Sequence, residues 1–168
     1  MKSKATKVLM ETFVGIFDYH TKMFLNALDG ISDEDAQSRM GTKANHMAWI
    51  AGSLVYQRQM IANSAGIDVK QTSANLFENN KGIQDNVTYP SLGELKDDWN
   101  KISPLLSKAL SNMSEEEMNG PDPFKMPGAN FTFFDTAVVF SIDRESYCLG
   151  QLGLYRRLLG YDAMKYPQ

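Results

Sequence analysis

Cysteine is nearly absent from this sequence. Cys148 stands alone among 168 residues, which excludes an internal disulfide and any structural zinc site built from several thiolates. Histidine is almost as scarce, with His20 and His46 the only two. Positive charge is in deficit: 17 Lys and Arg against 20 Asp and Glu give a formal net charge of −3, so no basic excess is there to neutralise phosphates and no nucleic-acid partner is expected. No apolar run approaches the roughly 20 residues that span a bilayer, so no membrane partner is expected either. Near the start, Lys2, Lys4 and Lys7 are followed by Glu11 and Asp18, which interrupt any signal-peptide core and make a cytoplasmic location the expectation. Strand-like alternation, sustained heptads, internal repeats, a phosphate-binding glycine loop, a Glu-x-x-His pair of the di-iron type and a metalloprotease motif are all missing.

What is present is helical periodicity. From Lys4 to Leu28, Val8, Phe13, Ile16, Phe17, Met23 and Phe24 recur at three- and four-residue intervals with no proline, which predicts a first long helix. Gly30 lets the chain leave it, and Ser32 ahead of Asp33, Glu34 and Asp35 reads as a capped short turn of helix. Thr42 is the expected N-cap of a second long helix, whose apolar spacing runs through Met47, Ile50, Leu54, Met60 and Ile61 until Ser64 to Gly66 end it. The mixed polarity from Asp68 to Tyr89 predicts a long connection.

Ser91 and Glu94 form a capping box for a third helix with the stripe Leu92, Leu95, Trp99, Ile102, Leu105, Leu106 and Leu110, and Pro104 predicts a kink in it. The acidic run Glu115 to Glu117 reads as a solvated helix start behind Ser114. Pro121, Pro123 and Pro127 with Gly120 and Gly128 predict a rigid surface loop. Thr132 and Asp135 then open the last helix, which runs past Arg156 and Arg157 to a cap at Gly160. The expected fold class is therefore all-α, a four-helix bundle forming one domain over residues 1–168 with a long connection between its second and third helices.

Two segments carry a family resemblance. Asn45-His46-Met47-Ala48-Trp49-Ile50-Ala51-Gly52-Ser53 resembles the Asn-His-x-x-Trp-x-x-Gly-His segment of the DinB-like proteins. The segment from Arg144 through Glu145, Cys148, Gly150, Gln151, Arg156 and Arg157 to Gly160 is similar to that family's final helix, which reads His-Glu-x-x-His-x-Gly-Gln and ends in an Arg-Arg-Leu-x-Gly tail. The resemblance implies a DinB-like bundle and a homodimer. In that family three histidines at these positions bind a divalent metal, and here they are Ser53, Arg144 and Cys148. Serine is a poor neutral ligand, arginine is a permanent cation, and one thiolate cannot build a site, so no metal and no cofactor is expected.

The same three positions become the candidate ligand-binding residues, with His46, Gln57, Gln151 and Tyr155 as candidate pocket lining. Two readings of Arg144 stand: an internal salt bridge to Glu11, Asp18, Asp97 or Asp98, or an anion site in which the guanidinium replaces the lost metal as the cation. Cys148 is either a small buried hydrophobe or a thiol activated by Arg144 one turn away. His46 suits capping or packing better than ligation. Met10, Met23, Met40, Met47 and Met60, like Trp49 and Trp99, suit core packing first and a ligand pocket second. Two functions follow. One is a non-catalytic or metal-independent protein that binds a small, anionic molecule or acts through dimerisation; the other is an enzyme of the thiol-dependent transferase and isomerase class that the family includes. No catalytic residue is assigned for the second.

Overall fold

A computed structural model describes residues 3–167; Lys2 of the basic N-terminal segment lies outside them, as do Met1 and Gln168. The described residues are all-α, with one isolated bridge between Pro121 and Thr132. Helix α1 (Lys4–Ala27) starts where the Ser3 hydroxyl accepts the Thr6 N–H, and the chain leaves it through Gly30 at φ 70°. Its last carbonyl and the turn beyond it are met from afar by Arg156, which donates to Ala27 O at 3.1 Å and Asp29 O at 2.5 Å. A cation there opposes the negative end of the helix dipole.

After α2 (Asp33–Ala36), capped by Ser32, comes α3 (Met47–Ser64). Its N-cap is His46 rather than Thr42. Thr42 instead donates to Arg39 O and accepts from the Ala44 N–H, closing a turn upstream, while the His46 ring accepts the Trp49 N–H at 3.1 Å. The helix ends in a Schellman turn, with Gly66 at φ 81° and Ile67 N–H reaching back to Ala62 O. Two 3₁₀ turns, Ala74–Leu76 and Glu78–Asn80, punctuate the long connection that follows.

Helix α4 (Leu92–Asn112) begins at the Ser91 and Glu94 capping box and runs through Pro104 as one element. Pro104 lies on the exposed face, where the carbonyl that loses its N–H partner meets water. Then come α5 (Glu115–Met118) and the last helical run, which is not uniform: α6 (Phe133–Val138) passes into a π-helical turn over Val139–Arg144 before α7 (Glu145–Leu158). The wider turn leaves carbonyls to be met by side chains of other helices. Gln57 donates to Phe140 O at 2.6 Å, and the His20 Nδ1 lies 3.2 Å from Ser141 O. A carbonyl only accepts, so Nδ1 donates to it, and Nε2 lies 3.3 Å from the Ser146 hydroxyl.

Helices α1 and α3 each pack on both α4 and α7. The apolar core between them holds Phe17, Phe24, Leu54, Leu95, Ile102 and Leu152, all fully buried, and Trp99 stacks on Phe24 with centroids 4.0 Å apart. At its centre lies a charge. Arg58 of α3 is 0 % exposed, and its Nε and Nη2 donate to the two carboxylate oxygens of Glu145 at 2.7 Å each. Nη1 donates to Thr21 Oγ1 and Ser103 Oγ, and Nη2 also reaches Phe17 O, so all five N–H groups have acceptors. The guanidinium faces the rings of Phe17 at 3.8 Å and Trp99 at 3.6 Å. One side chain thus ties α3 to α1, α4 and α7. No helix of the described residues is long and apolar enough to cross a membrane.

Candidate functional site

Helix α3 is buried almost all round, but one of its faces, Trp49, Ser53, Tyr56, Gln57 and Met60, lines a cavity of about 490 Å³. The three- and four-residue spacing of these side chains is what lets one helix wall the space. Opposite walls come from Phe77 and Lys81 near the 3₁₀ turns, from Phe124, Met126 and Pro127 in the proline-rich loop, and from Phe140 and Arg144 in the π turn. Phe77 reaches α3 because Gly52 has no side chain: a Cβ built there collides with the Phe77 ring. Ring pairs furnish the walls, Tyr56 near-parallel to Phe77 at 6.4 Å and Phe124 edge-on to Phe140 at 5.2 Å.

Arg144 is half-buried and points its guanidinium at neutral groups. Nη1 donates to Gln57 Oε1 at 2.5 Å and Nη2 to Ser53 Oγ at 3.2 Å. Gln57 is oriented for this by its own amide N–H, which donates to Phe140 O, and the Ser53 hydroxyl donates to Ile50 O at 2.8 Å. None of the four carboxylates expected as salt-bridge partners meets Arg144. Asp98 accepts from the Thr72 N–H and hydroxyl, Asp18 accepts from Ser107, Glu11 lies near Lys7, and Asp97 is exposed. The buried salt bridge belongs to Arg58 and Glu145 instead. Arg58 falls on the stripe Met47, Ile50, Leu54, Ile61 where an apolar residue is due, and that misfit was the sequence signal for it.

Of the residues singled out from sequence, Ser53, Arg144 and Gln57 come together in this cavity. Cys148 is 5 % exposed and does not line it; burial pushes its thiol up from the ordinary value, against the weaker opposing pull of Arg144. Gln151 is half-buried and Tyr155 sits in the apolar core, both away from the cavity. His46 caps α3 and packs edge-on against Tyr89 at 4.9 Å. Met10, Met23 and Met47 are core residues, and Met60 lines the cavity. Trp49 also lines it, with an indole N–H that is buried and has no acceptor, whereas Trp99 donates to Thr21 O in the core. The aromatic walls from Phe77 and Phe124 had no sequence signal, since both residues stand in irregular segments.

His46 gives the stability of the fold a pH dependence. As N-cap it must accept with an unprotonated nitrogen, and burial, with the nearby Arg39 charge, lowers its pKa below the ordinary imidazole value. A base whose folded pKa is depressed binds its proton more readily when unfolded. Its contribution is therefore complete above about pH 6.5 and is lost as pH falls through the lower folded value. His46→Asn, which keeps a good cap without a titrating ring, is expected to change stability little at pH 7.5 and to remove about 1 kcal/mol of the loss seen between pH 7.5 and 5. Urea unfolding at the two pH values measures it, and an equal loss in both proteins would refute it.

Among the described residues no three His, Cys, Asp or Glu side chains are grouped to hold a metal ion. A larger hollow of about 680 Å³ runs along α1 past Lys7, Glu11, Asp18 and Ser111, but its two carboxylates disfavour an anion and it is lined by none of Ser53, Gln57, Arg144, Cys148, Gln151 or Tyr155. No protein-family model and no curated protein matches this chain.

Proposed function

We propose that the chain is a DinB-like four-helix bundle that works without a metal and binds a small organic anion at the family's metal position, with Arg144 as the cation. The observation that carries this reading is the state of Arg144: a half-buried guanidinium in a 490 Å³ cavity, held by the neutral Gln57 and Ser53, with no carboxylate on it. Two donated hydrogen bonds leave three of its five N–H groups without a protein acceptor among the described residues. A structural arginine such as Arg58 has every donor used. The contact between Ser53 and Arg144 also supports the resemblance, which pairs these two positions across 91 residues of chain. Against the thiol-dependent enzyme, Cys148 is buried outside the cavity with a raised pKa.

Arg144→Met tests the reading. Removing a guanidinium that serves a ligand and not the fold is expected to leave unfolding stability within about 1 kcal/mol of wild type, since its partners are neutral. The wild type gains about 2.7 kcal/mol at a ligand concentration 100 times Kd, and the variant gains nothing. Thermal melts with a panel of carboxylates and phosphates read both. A variant destabilised by several kcal/mol, together with no anion effect on wild type, would falsify the proposal.

A further inference from the structure

The charge and shape of the cavity narrow the class of anion. Among the described residues, Arg144 and Lys81 are the only charged ones that line it, and no carboxylate does. Lys81 is exposed and donates from its Nζ to Asn75 O, which puts it at the rim and leaves one cation inside. Two arms of that cation already hold Gln57 and Ser53. The start of α3, the helix that carries Ser53 and Gln57, is closed by the His46 ring. A phosphate dianion needs a denser set of N–H donors than this, whereas a single carboxylate is matched by the free edge of one guanidinium.

Most of the remaining lining is apolar or aromatic, with the exposed Asn80 the polar exception. The Tyr56–Phe77 and Phe124–Phe140 ring pairs face the space, and Met60 and Met126 fill between them. Aromatic walls favour a planar body by offset or edge-on contact, and thioethers adapt to its outline. A volume of about 490 Å³ is that of a site for a ring-bearing molecule, and acetate would leave most of it to water. Trp49, one turn before Ser53 on α3, carries the buried N–H that lacks an acceptor. That N–H is closed to solvent, so the carboxylate rests on Arg144.

We infer that the ligand is an aromatic monocarboxylate, its ring system between the Tyr56–Phe77 and Phe124–Phe140 walls and its carboxylate on Arg144. This rests on the anion-site reading and adds the ligand class to it. The test is calorimetric titration of the full chain with four probes: 1-naphthylacetate, its neutral amide 1-naphthylacetamide, acetate and inorganic phosphate. The acid is expected to bind at least about tenfold more tightly than the amide, acetate or phosphate, a difference of 1.4 kcal/mol or more. In Arg144→Met the acid and the amide are expected to bind alike. Should that variant not fold, the acid-to-amide ratio on the wild type decides alone. Phosphate or acetate binding as well as the naphthyl acid overturns the aromatic class while leaving an anion site. Equal affinity for acid and amide overturns the carboxylate contact. No heat from any of the four overturns both this inference and the anion site on which it rests.

Discussion

Glu145→Gln is expected to lower the unfolding free energy by about 3–5 kcal/mol, because it strands the Arg58 charge in a site closed to solvent. The guanidinium is fully buried among Phe17, Trp99, Thr21 and Ser103, and Glu145 is the only carboxylate hydrogen-bonded to it among the described residues. Burial lowers its pKa and Glu145 works against that shift. The double change Arg58→Met with Glu145→Met is expected to be milder than Glu145→Gln alone, since it removes both charges and leaves an apolar core. A double-mutant cycle by urea unfolding supplies the coupling energy. Additive single effects would mean that the pair does not act as a unit.

The second large effect is expected at Gly52. Gly52→Ala places a methyl group into the Phe77 ring, which is 4 % exposed and held between Tyr56 and Tyr89. Overpacking of this kind costs about 1–3 kcal/mol, more than the roughly 1 kcal/mol by which alanine favours a helix over glycine. The Phe77 wall of the cavity should shift with it, so weakened binding of 1-naphthylacetate is expected to accompany the lost stability. Gly150→Ala is the control: nothing lies within 4 Å of a Cβ built there, and it is expected to stabilise by up to about 1 kcal/mol. A stabilising Gly52→Ala would mean that Phe77 yields freely and that Gly52 is not what seats it.

The candidate site was legible only in part. Ser53 and Arg144 were found through two motif segments, and the structure brings them to 3.2 Å of each other. Gln57 could be paired with Ser53 because four residues make one helical turn. Of the two readings of Arg144, the internal salt bridge does not form, because a charge in an apolar helix need not be the buried one. The charge that is buried is Arg58, on the core stripe of α3, while Arg144 stands at the end of the π turn with access to a cavity. That turn had no signal in the periodicity, since six residues of wider helix are too few to break a long apolar pattern.

By itself the sequence determined the helices and their ends. The Ser91–Glu94 and Thr132–Asp135 capping boxes and the Gly66 and Gly160 exits form as expected, because each is settled by groups within one or two turns of chain. Thr42 failed as a cap for the same kind of reason: the hydroxyl found a nearer partner in Arg39. Tertiary structure alone decided which face of α3 meets α7, and with it which arginine is paired and which is left for a ligand. Arg58 to Glu145 and Arg144 to Gln57 both span 87 residues, and contacts at that separation depend on how whole helices pack against each other. The packing that buries Arg58 against Glu145 is therefore what leaves Arg144 facing a cavity.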